Sequence, residues 1–586
     1  MRLRTKLTRI TALAKHESDK QQFGIRSRLL FAILVLMASG LVWRALYLQT
    51  DSASFLVAEG NARFTRVVTV IAHRGAITDR YGEPIAISTP VDSVWANPRD
   101  LLKAPDNIPK LAKAINRRPD ELASFISSSS TRTFLFLARQ LQPPNAKIVK
   151  DLGIPGVHIA REYRRYYPAG EVTGHLIGFT NIDDAGQEGI ELSFENWLAG
   201  INGSKRVIQD RYGNIVENIE NVRTVRPGRD LVLSIDMRLQ YMAYRELKTA
   251  MLENGSTGAS LVCLDVDTGE VLAMVDQPGF NPNDRDQLTP SRYRNRALTD
   301  LFEPGSTMKP FVLAAALSSG RYQPASIVDT SPGYMIVGGQ RVSDENHDFG
   351  AIDLTTILAK SSNVGMSKIA LSLQPQQLAS VLDVFGFGNV TSSGFPGEAA
   401  GIFPPYIHWR PVGISSMSRG YGVSVTALQL AHAYSILASG GIARPVTLLR
   451  LDPGKTGEFH RVLDEQVAQQ LITMLEAVVS AEGTGKKAAL NGYRVAGKTG
   501  TARKAEEGGY AIGKYFAVFA GMIPASHPKL VTVVMFDSPS GQYHGGEVSA
   551  PVFANVMTDA LRVIAIPPDI PIIPAEEPRH LPPKHH

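Results

Sequence analysis

Cysteine is almost absent from the sequence, since Cys263 is the one thiol in 586 residues. A single cysteine excludes an intramolecular disulfide framework and leaves no cysteine cluster for zinc. Excess charge is confined to the N-terminus: residues 1–28 hold eight Lys or Arg and two Asp or Glu, which accounts for the whole net charge of +6. The rest of the chain is electrically balanced, so its composition gives no sign of nucleic-acid binding.

Long apolar runs are also rare, and the one that stands out covers residues 29–48, with Arg44 near its end. Twenty residues of α-helix span about 30 Å, enough to cross a bilayer core. The positive charge before the run predicts a cytoplasmic N-terminus. A cleaved signal peptide is the alternative, but the small-x-small motif Ala38-Ser39-Gly40 lies inside the apolar run. We therefore expect a cytoplasmic basic tail (1–28) and an uncleaved single-pass anchor (29–48).

Residues 50–230 alternate short β-like runs with polar turns and two modest helical stretches. Residues 64–71 and 206–216 are predicted to be strands. The tetrapeptide Asp-Arg-Tyr-Gly occurs at 79–82 and again at 210–213, and both copies predict a tight turn. The serine run 127–130 is predicted to be a surface loop. Few clustered candidates for chemistry occur in this half of the chain.

The pattern changes after Pro227-Gly228. Asp236 is predicted to cap a helix that ends at Asn254-Gly255 and has apolar residues every four positions. Two strands joined at Asp267-Thr268-Gly269 follow, then a helical middle that includes 426–437. Three late strands (493–502, 515–522 and 530–536) and a helix (552–563) follow. This order predicts an α+β domain over 231–563 with one antiparallel sheet. The Pro-rich residues 564–586 are predicted to be an extended tail.

Candidate catalytic residues begin with Ser306 and Lys309, which follow the turn signal Pro304-Gly305. Ser306 and Lys309 are three residues apart at the start of a predicted helix, so their side chains can approach each other. A serine at a helix N-terminus beside a neutral lysine is a plausible activated nucleophile. The S-x-x-K pattern alone is weak, because a second copy, residues 526–529, crosses a proline in a predicted turn.

Two further motifs strengthen the interpretation. Ser361 and Asn363 form an S-x-N between helical segments, and Lys498, Thr499, Gly500 and Thr501 form a K-T-G-T on a predicted strand rich in small residues. An edge strand of this kind lets an extended acyl substrate pair with backbone groups. A second K-T-G, residues 455–457, lies in a Pro-Gly loop. The ordered set of three motifs, each in a fitting local structure, is very hard to obtain by chance.

The ordered motifs S-x-x-K, S-x-N and K-T-G resemble those of the penicillin-recognising serine enzymes. Residues 74–82 (RGAITDRYG) and 186–191 (GQEGIE) resemble the non-catalytic half of class B penicillin-binding proteins. Residues 166–168, 175–179, 302–309 and 360–365 resemble the division-specific transpeptidases of Gram-negative rods. The resemblance implies a transmembrane helix, an elongated β-rich pedestal or dimerisation domain (50–230) and a β-lactamase-like transpeptidase domain (231–563).

The resemblance also implies a role for each motif residue. Ser306 would attack a D-Ala-D-Ala carbonyl, Lys309 would be the base and Ser361 would relay the proton. Asn363 would position substrate and Lys309, and Lys498 would attract the substrate carboxylate and keep Lys309 neutral. The substrate-binding residues would be Thr499, Gly500 and Thr501, with the backbone N–H groups of Ser306 and Thr501 as an oxyanion hole. Neither a metal nor an organic cofactor is implied.

The implied activity is that of a serine D-Ala-D-Ala transpeptidase that cross-links stem pentapeptides at the septum, faces the periplasm from the inner membrane and is inhibited by β-lactams. The implied partners are a membrane glycan polymerase and other division proteins. A D,D-carboxypeptidase or β-lactamase of the same fold is an alternative, because it would use the same residues and pass the acyl group to water. A second alternative is chiefly a scaffold of the division machinery. A β-lactam sensor is disfavoured, since one span and 28 cytosolic residues leave no signalling region.

Overall fold

The computed structural model describes residues 4–51, 53–209, 215–344, 347–452, 454–455, 457–506 and 508–571. The second Asp-Arg-Tyr-Gly turn, most of the C-terminal tail, Arg2 of the basic stretch and Thr456 of the second K-T-G lie outside these residues. The chain divides into two parts near residue 230. The division coincides with the change in sequence texture after Pro227-Gly228.

In the part of the chain that the structure describes, the N-terminal part contains one long helix, several short helices and two small sheets. Its helices are α1 (Arg4–Gln49), α2 (Ala53–Phe64), α3 (Pro98–Leu101), α4 (Ile108–Ala114), α5 (Pro119–Ser128), α6 (Pro143–Asp151), α7 (Gly174–Ile177), α8 (Gly189–Ser193) and α9 (Glu195–Leu198). Its strands are β1 (Thr65–Val70), β2 (Ile77–Thr78), β3 (Pro84–Ala96), β4 (Leu135–Leu141), β5 (Val157–Tyr166), β6 (Gly203–Gln209), β7 (Ile215–Arg223) and β8 (Leu231–Val232).

The C-terminal part combines one large sheet with many helices. Its helices are α10 (Met237–Glu253), α11 (Pro290–Tyr293), α12 (Arg296–Thr299), α13 (Lys309–Ser318), α14 (Leu354–Ala359), α15 (Asn363–Ser372), α16 (Pro375–Val384), α17 (Pro411–Met417), α18 (Ala427–Ala438), α19 (Glu465–Val479) and α20 (Gly545–Val563). Its strands are β9 (Gly258–Asp265), β10 (Val271–Gln277), β11 (Ile327–Asp329), β12 (Tyr334–Val337), β13 (Gln340–Ser343), β14 (Ala351–Asp353), β15 (Ile442–Ala443), β16 (His460–Arg461), β17 (Ala496–Glu506), β18 (Gly509–Ile523) and β19 (Leu530–Asp537).

The large sheet is antiparallel throughout and has the strand order β10-β9-β19-β18-β17. The early hairpin joins the late strands because β9 pairs with β19, with Val262 opposite Val533. The expected α+β domain, whose first and last strands meet in one sheet, is therefore confirmed. The K-T-G motif lies on β17, an edge strand of this sheet.

Both faces of the sheet are covered, because side chains alternate between the two faces along each strand. On β18, Val518 and Ala520 pack into the core formed with the helical middle, which includes α13 and α18. Ala517 and Phe519 pack into the opposite core with α10 and α20. Helix α10 begins at the predicted cap, since the Asp236 side chain accepts a hydrogen bond from the Arg238 N–H.

The N-terminal part holds more helix than the two stretches predicted. Helices α3 to α6 pack around the sheet formed by β3, β4 and β5, with a small core of their own. Residues 206–216 are not one strand, because residues 206–209 end β6 and residues 215–216 begin β7, and these two strands pair antiparallel. The serine run 127–130 is only partly a loop, since α5 extends through Ser128.

A turn at Asp79 joins the two parts of the chain. The Asp79 carboxylate accepts hydrogen bonds from N–H groups of its own turn. It also accepts one from the N–H of Met237 at the start of α10. Arg80 pairs with Glu270 at 3.1 Å, and Glu270 also accepts the Leu451 N–H at 2.7 Å. The predicted turn is thus confirmed, and it connects the N-terminal part to the sheet domain.

Within the described residues, one helix segment, Gly24–Gln49, is long and apolar enough to cross a membrane, and its side chains are exposed. The three-stranded sheet β1-β6-β7 follows it in the fold. By length and composition this segment is compatible with a single-pass membrane anchor.

Candidate active site

Ser306 lies on a 3-10 turn, Gly305–Met308, that runs directly into α13. The α-helix therefore begins at Lys309 rather than before Ser306, and Pro310 falls in its first turn, where a missing N–H costs little. The turn is fixed from both sides. Gly305 has φ +55° and donates its N–H to the Gly420 carbonyl, and Tyr434 donates its hydroxyl to the Thr307 carbonyl. These contacts hold the nucleophile candidate on a rigid support.

The Lys309 side chain is fully buried and its amine meets the S-x-N motif. Its Nζ donates to the Ser361 carbonyl at 2.5 Å, the Ser361 Oγ at 3.1 Å and the Asn363 Oδ1 at 2.9 Å. The Ser361 hydroxyl donates to the Ser306 Oγ at 3.0 Å. The structure therefore brings Ser306, Ser361, Lys309 and Asn363 into one connected group, with Ser361 between the other serine and the amine.

Ser361 occupies the gap between α14 and α15, as the motif predicts. Its φ of +58° lies in the left-handed region, which costs a non-glycine residue on the order of 1 kcal/mol. The next residue stabilises this geometry, because the Ser362 hydroxyl caps α15 by accepting the Gly365 N–H at 2.9 Å. The strained backbone turns Ser361 toward both Ser306 and Lys309.

The K-T-G strand β17 packs directly against the Ser306 turn. A Cβ added to Gly500 would lie 2.8 Å from the Pro304 carbonyl oxygen and 2.9 Å from the Thr307 Cγ2. Only glycine allows so close an approach of strand and turn. The glycine of the motif therefore sets the distance between Ser306 and the edge strand.

Lys498 is fully buried, and its Nζ lies 3.2 Å from the Thr499 carbonyl and 3.3 Å from the Thr499 Oγ1. Burial lowers the pKa of Lys498 from 10.5 to about 7, because the interior disfavours the ammonium. The Thr499 hydroxyl donates to the Thr484 Oγ1 at 2.9 Å. The Thr501 Oγ1 accepts the Gly545 N–H, at 3.2 Å, at the start of α20.

The duplicate motifs are remote from this group. Ser526 and Lys529 lie in the turn between β18 and β19, where their side chains pair with Asp569 and Asp267. Lys455 is a surface side chain that pairs with Asp452 at 2.7 Å. The prediction that these copies are chance matches agrees with their placement.

The family profile described as "Penicillin binding protein transpeptidase domain" matches residues 259–558, and that described as "Penicillin-binding Protein dimerisation domain" matches residues 69–233. The first match spans all three motifs. The chain belongs to the class B penicillin-binding proteins. The expected family and enzyme class, a serine-type penicillin-binding transpeptidase, are thereby confirmed.

Related proteins match almost the whole chain. The peptidoglycan D,D-transpeptidase FtsI of Escherichia coli K12 is 42% identical over 570 residues, covering 95% of this chain and 96% of FtsI. The transpeptidase domain of Burkholderia pseudomallei penicillin-binding protein 3 is 40% identical, with a TM-score of 0.54, over 58% of this chain and 98% of that domain. Penicillin-binding protein 3 of Mycobacterium tuberculosis in complex with aztreonam is 26% identical, with a TM-score of 0.67, and the match covers 86% of this chain and 99% of that chain.

Asp344, which the sequence analysis missed, supports the S-x-N of this penicillin-binding protein. The buried carboxylate accepts the Ser362 hydroxyl at 2.6 Å and the N–H groups of Asn363 and Val364. The Asn363 amide in turn donates to the Ser343 carbonyl at 3.1 Å. No local signal indicates this role, because Asp344 lies 18 residues before Ser362 in an irregular loop.

The second missed feature is the segment 502–514, for which no role is predicted from the sequence. Residues 502–506 end β17 and residues 509–514 begin β18, and the Tyr510 hydroxyl donates to the Glu303 Oε1 at 3.2 Å. Glu303 also accepts the Gly422 N–H at 2.7 Å, and burial raises the pKa of its carboxyl. The hairpin is thus connected to the segment that leads into Ser306.

We expect Asp344→Asn to slow acylation by benzylpenicillin about tenfold or more. The Asp344 carboxylate accepts hydrogen bonds on both of its oxygens, whereas the asparagine amide has one acceptor oxygen and an NH₂ group that can only donate. At least one charge-assisted hydrogen bond is therefore lost in the variant. Asp348→Asn is the matched control, because Asp348 is an exposed residue of the same loop that accepts only a local N–H, from Gly350, among the described contacts. Stopped-flow acylation measures both. An unchanged rate in a folded Asp344→Asn variant would contradict the supporting role.

Proposed function

We propose that this protein is a peptidoglycan D,D-transpeptidase that cross-links stem peptides at the division septum through an acyl-enzyme on Ser306. The observation that carries the proposal is that Ser361 Oγ contacts both Ser306 Oγ and Lys309 Nζ, at a turn against which Gly500 of the K-T-G strand packs. The relatives support the substrate, since FtsI of Escherichia coli bears the name of that activity.

In the acylation step, the Ser306 Oγ forms a bond to the carbonyl carbon of the penultimate D-alanine. The hydroxyl proton passes to a neutral Lys309 amine, for which the Ser361 hydroxyl offers a path. The bond from that carbon to the terminal nitrogen then breaks, and the same path returns the proton to the departing D-alanine. Asn363 holds the Lys309 amine at 2.9 Å and so keeps the base aligned.

The K-T-G strand supplies substrate recognition in this proposal. Lys498, when protonated, attracts the terminal carboxylate, and the hydroxyls of Thr499 and Thr501 orient it. Gly500 lets the substrate and strand lie close to the Ser306 turn. Backbone N–H groups of Ser306 and Thr501 stabilise the oxyanion. Lys498 also disfavours a second buried positive charge and so favours the neutral form of Lys309.

Deacylation determines the class of product. An amine from a neighbouring stem peptide attacks the ester carbon, forms the cross-linking amide and releases the Ser306 oxygen, which recovers a proton. A D,D-carboxypeptidase would use the same residues with water as the acceptor. A transpeptidase must therefore keep water from the ester until the amine arrives.

The proposed domain division follows the sequence boundaries: a cytoplasmic tail (1–28), an anchor (29–48), a pedestal or dimerisation domain (50–230), a transpeptidase domain (231–563) and a tail (564–586). The basic residues before the apolar segment support a cytoplasmic N-terminus and a periplasmic catalytic domain. A membrane glycan polymerase and other division proteins are the proposed partners. The first residues of the tail contact the catalytic domain, since Asp569 accepts the Arg494 N–H at 2.8 Å.

The test of the catalytic proposal is the fate of benzylpenicillin, whose acyl group mimics D-Ala-D-Ala. Because the opened β-lactam leaves no fragment to depart, slow attack by water traps it on the enzyme. We expect a one-to-one covalent adduct on Ser306 that survives purification and mass spectrometry. Rapid turnover to free enzyme would favour the hydrolase, and absence of an adduct on folded protein would favour the scaffold.

A second experiment tests the anchor. We expect the full-length protein to sediment with membranes and to need detergent, because the apolar segment is exposed. A chain of residues 60–586 should be soluble without detergent and should still react with benzylpenicillin. Recovery of mature protein that begins near Asp51 from intact cells would contradict the uncleaved anchor.

A further inference from the structure

A buried carboxyl group, that of Asp276, lies near the end of β10 against α12, the helix that precedes the Ser306 turn. Asp276 is 2% exposed. Its Oδ1 accepts the hydroxyl of Ser260, on the neighbouring strand β9, at 2.5 Å and the N–H of Ala297, in α12, at 3.0 Å. Its Oδ2 is buried and has no hydrogen-bond partner among the described residues. One oxygen of the group is therefore satisfied and the other is not.

Asn295 is the neighbour of this carboxyl group. Met274 lies on the same face of β10 as Asp276, and the Asn295 Nδ2 lies 3.4 Å from the Met274 Sδ. Ala297, which donates to Asp276, follows Asn295 by two residues. The Asn295 Nδ2 also donates to the His175 carbonyl at 3.2 Å, which decides the end of the amide that is nitrogen. The Asn295 Oδ1 is buried and, within the described residues, also has no partner.

Two unpartnered oxygens thus belong to adjacent buried side chains. They cannot satisfy each other while the carboxyl group is ionised, because a carboxylate and an amide oxygen are both acceptors. A protonated carboxyl group has one O–H donor, so a single proton on the Asp276 Oδ2 supplies what both oxygens lack. A buried polar atom without a partner is costly, and more so when it carries charge. The folded structure therefore favours the protonated form.

The charged groups beside Asp276 add little to either form. Burial raises the pKa of Asp276 to about 7, and the nearby Asp300 raises it further, whereas the Ser260 hydroxyl and Arg296 lower it. Arg296 is itself paired with Asp300 at 3.0 Å, so its charge is already compensated. No cation in direct contact with the carboxyl group is found among the described residues.

The other elements around Asp276 bring no charge to it. His175, in α7, is buried, and burial lowers its pKa to about 4, so its ring is neutral. Helix α18 packs against β9 and α12 and contains no Asp, Glu, Lys or Arg. Its His432 and Tyr434 bind backbone carbonyls. Helix α10 covers the opposite face of the sheet.

We propose that Asp276 carries a proton up to near-neutral pH and donates it from Oδ2 to the Asn295 Oδ1, as a pH-sensitive latch between β10 and the segment that leads to Ser306. Ionisation removes the donor and leaves two acceptor oxygens together in the interior. Because the folded-state pKa lies above the ordinary value of 3.8, the folded protein holds a proton that the unfolded chain has lost. The stability that the latch provides is therefore complete below about pH 4 and is lost as the pH rises through about 7.

Thermal unfolding of the full-length protein in detergent, from pH 5.5 to 8.5, tests the latch through Asp276→Asn. The asparagine amide donates and accepts throughout this range, so the variant keeps the contacts without a titrating proton. We expect the parental Tm to fall by about 3 °C relative to that of the variant. Asp267→Asn is the control, because Asp267 is an exposed residue of the β9–β10 turn that pairs with Lys529. Its difference from the parent should not vary with pH.

Infrared spectroscopy reports the proton directly. At pH 6 the parent should show the carbonyl stretching band of a protonated carboxylic acid that Asp276→Asn lacks. If that variant does not fold, Ser260→Ala replaces it: loss of the hydroxyl donor favours the protonated form, so the fall in Tm should extend to higher pH than in the parent. A Tm difference that is constant with pH, no difference in the acid band, or an unchanged profile in Ser260→Ala would overturn the inference.

Discussion

We expect Ser306→Ala to form no covalent adduct with benzylpenicillin, whereas the parent protein should be labelled one to one. The expected loss is complete because the serine Oγ is the atom that bonds to the acyl carbon, and alanine offers no nucleophile. The Ser361 hydroxyl, 3.0 Å from the Ser306 Oγ, does not replace it, since its donor and acceptor positions serve Ser306 and Lys309. Intact-mass spectrometry after incubation with the antibiotic measures the result.

Ser526→Ala is the matched control for that variant, because Ser526 begins the second S-x-x-K. Its hydroxyl donates to Asp569 at 2.6 Å, so its removal costs about 1 kcal/mol of folding stability and leaves acylation unchanged. Equal loss of labelling in both variants would mean that the motifs had been assigned to the wrong structural positions. Thermal unfolding of each variant confirms that the comparison is made on folded protein.

Lys498→Ala is expected to lower the rate constant of acylation by about 100-fold or more, the usual effect of removing one electrostatic group from a preorganised site. In the proposed mechanism, the Lys498 ammonium is the buried cation of β17 that meets the carboxylate of the antibiotic. Because burial lowers its pKa to about 7, the charged form is present at and below neutral pH and is stabilised when an anion binds. Stopped-flow measurements with a fluorescent penicillin give the rate.

Lys455→Ala serves as the control, since Lys455 begins the second K-T-G and lies on the surface beside Asp452. Its rate should match that of the parent. A Lys498→Ala variant that is folded and reacts at the parental rate would show that the carboxylate is held elsewhere. Loss of folding in Lys498→Ala is separated from loss of binding by Lys498→Met, which fills the same space without charge.

Local signals in the sequence are enough to predict much of the C-terminal part. The Asp236 cap, the hairpin at Asp267-Thr268-Gly269 and the late strands depend on neighbouring residues, and all are present in the structure. Where periodicity is weak, prediction fails. The sequence predicts one strand over residues 206–216, because the runs at its two ends have the same β-like composition, although these runs belong to two strands, β6 and β7, that pair antiparallel.

The sequence by itself determined the order and identity of the three motifs, since residue type, spacing and local turn chemistry are properties of short segments. Only the tertiary structure decided which atoms meet. Asp344 beneath the S-x-N and the approach of Gly500 to the Ser306 turn depend on packing between segments far apart in the chain. Such contacts follow from the way the helical middle folds onto the sheet, and no local pattern encodes them.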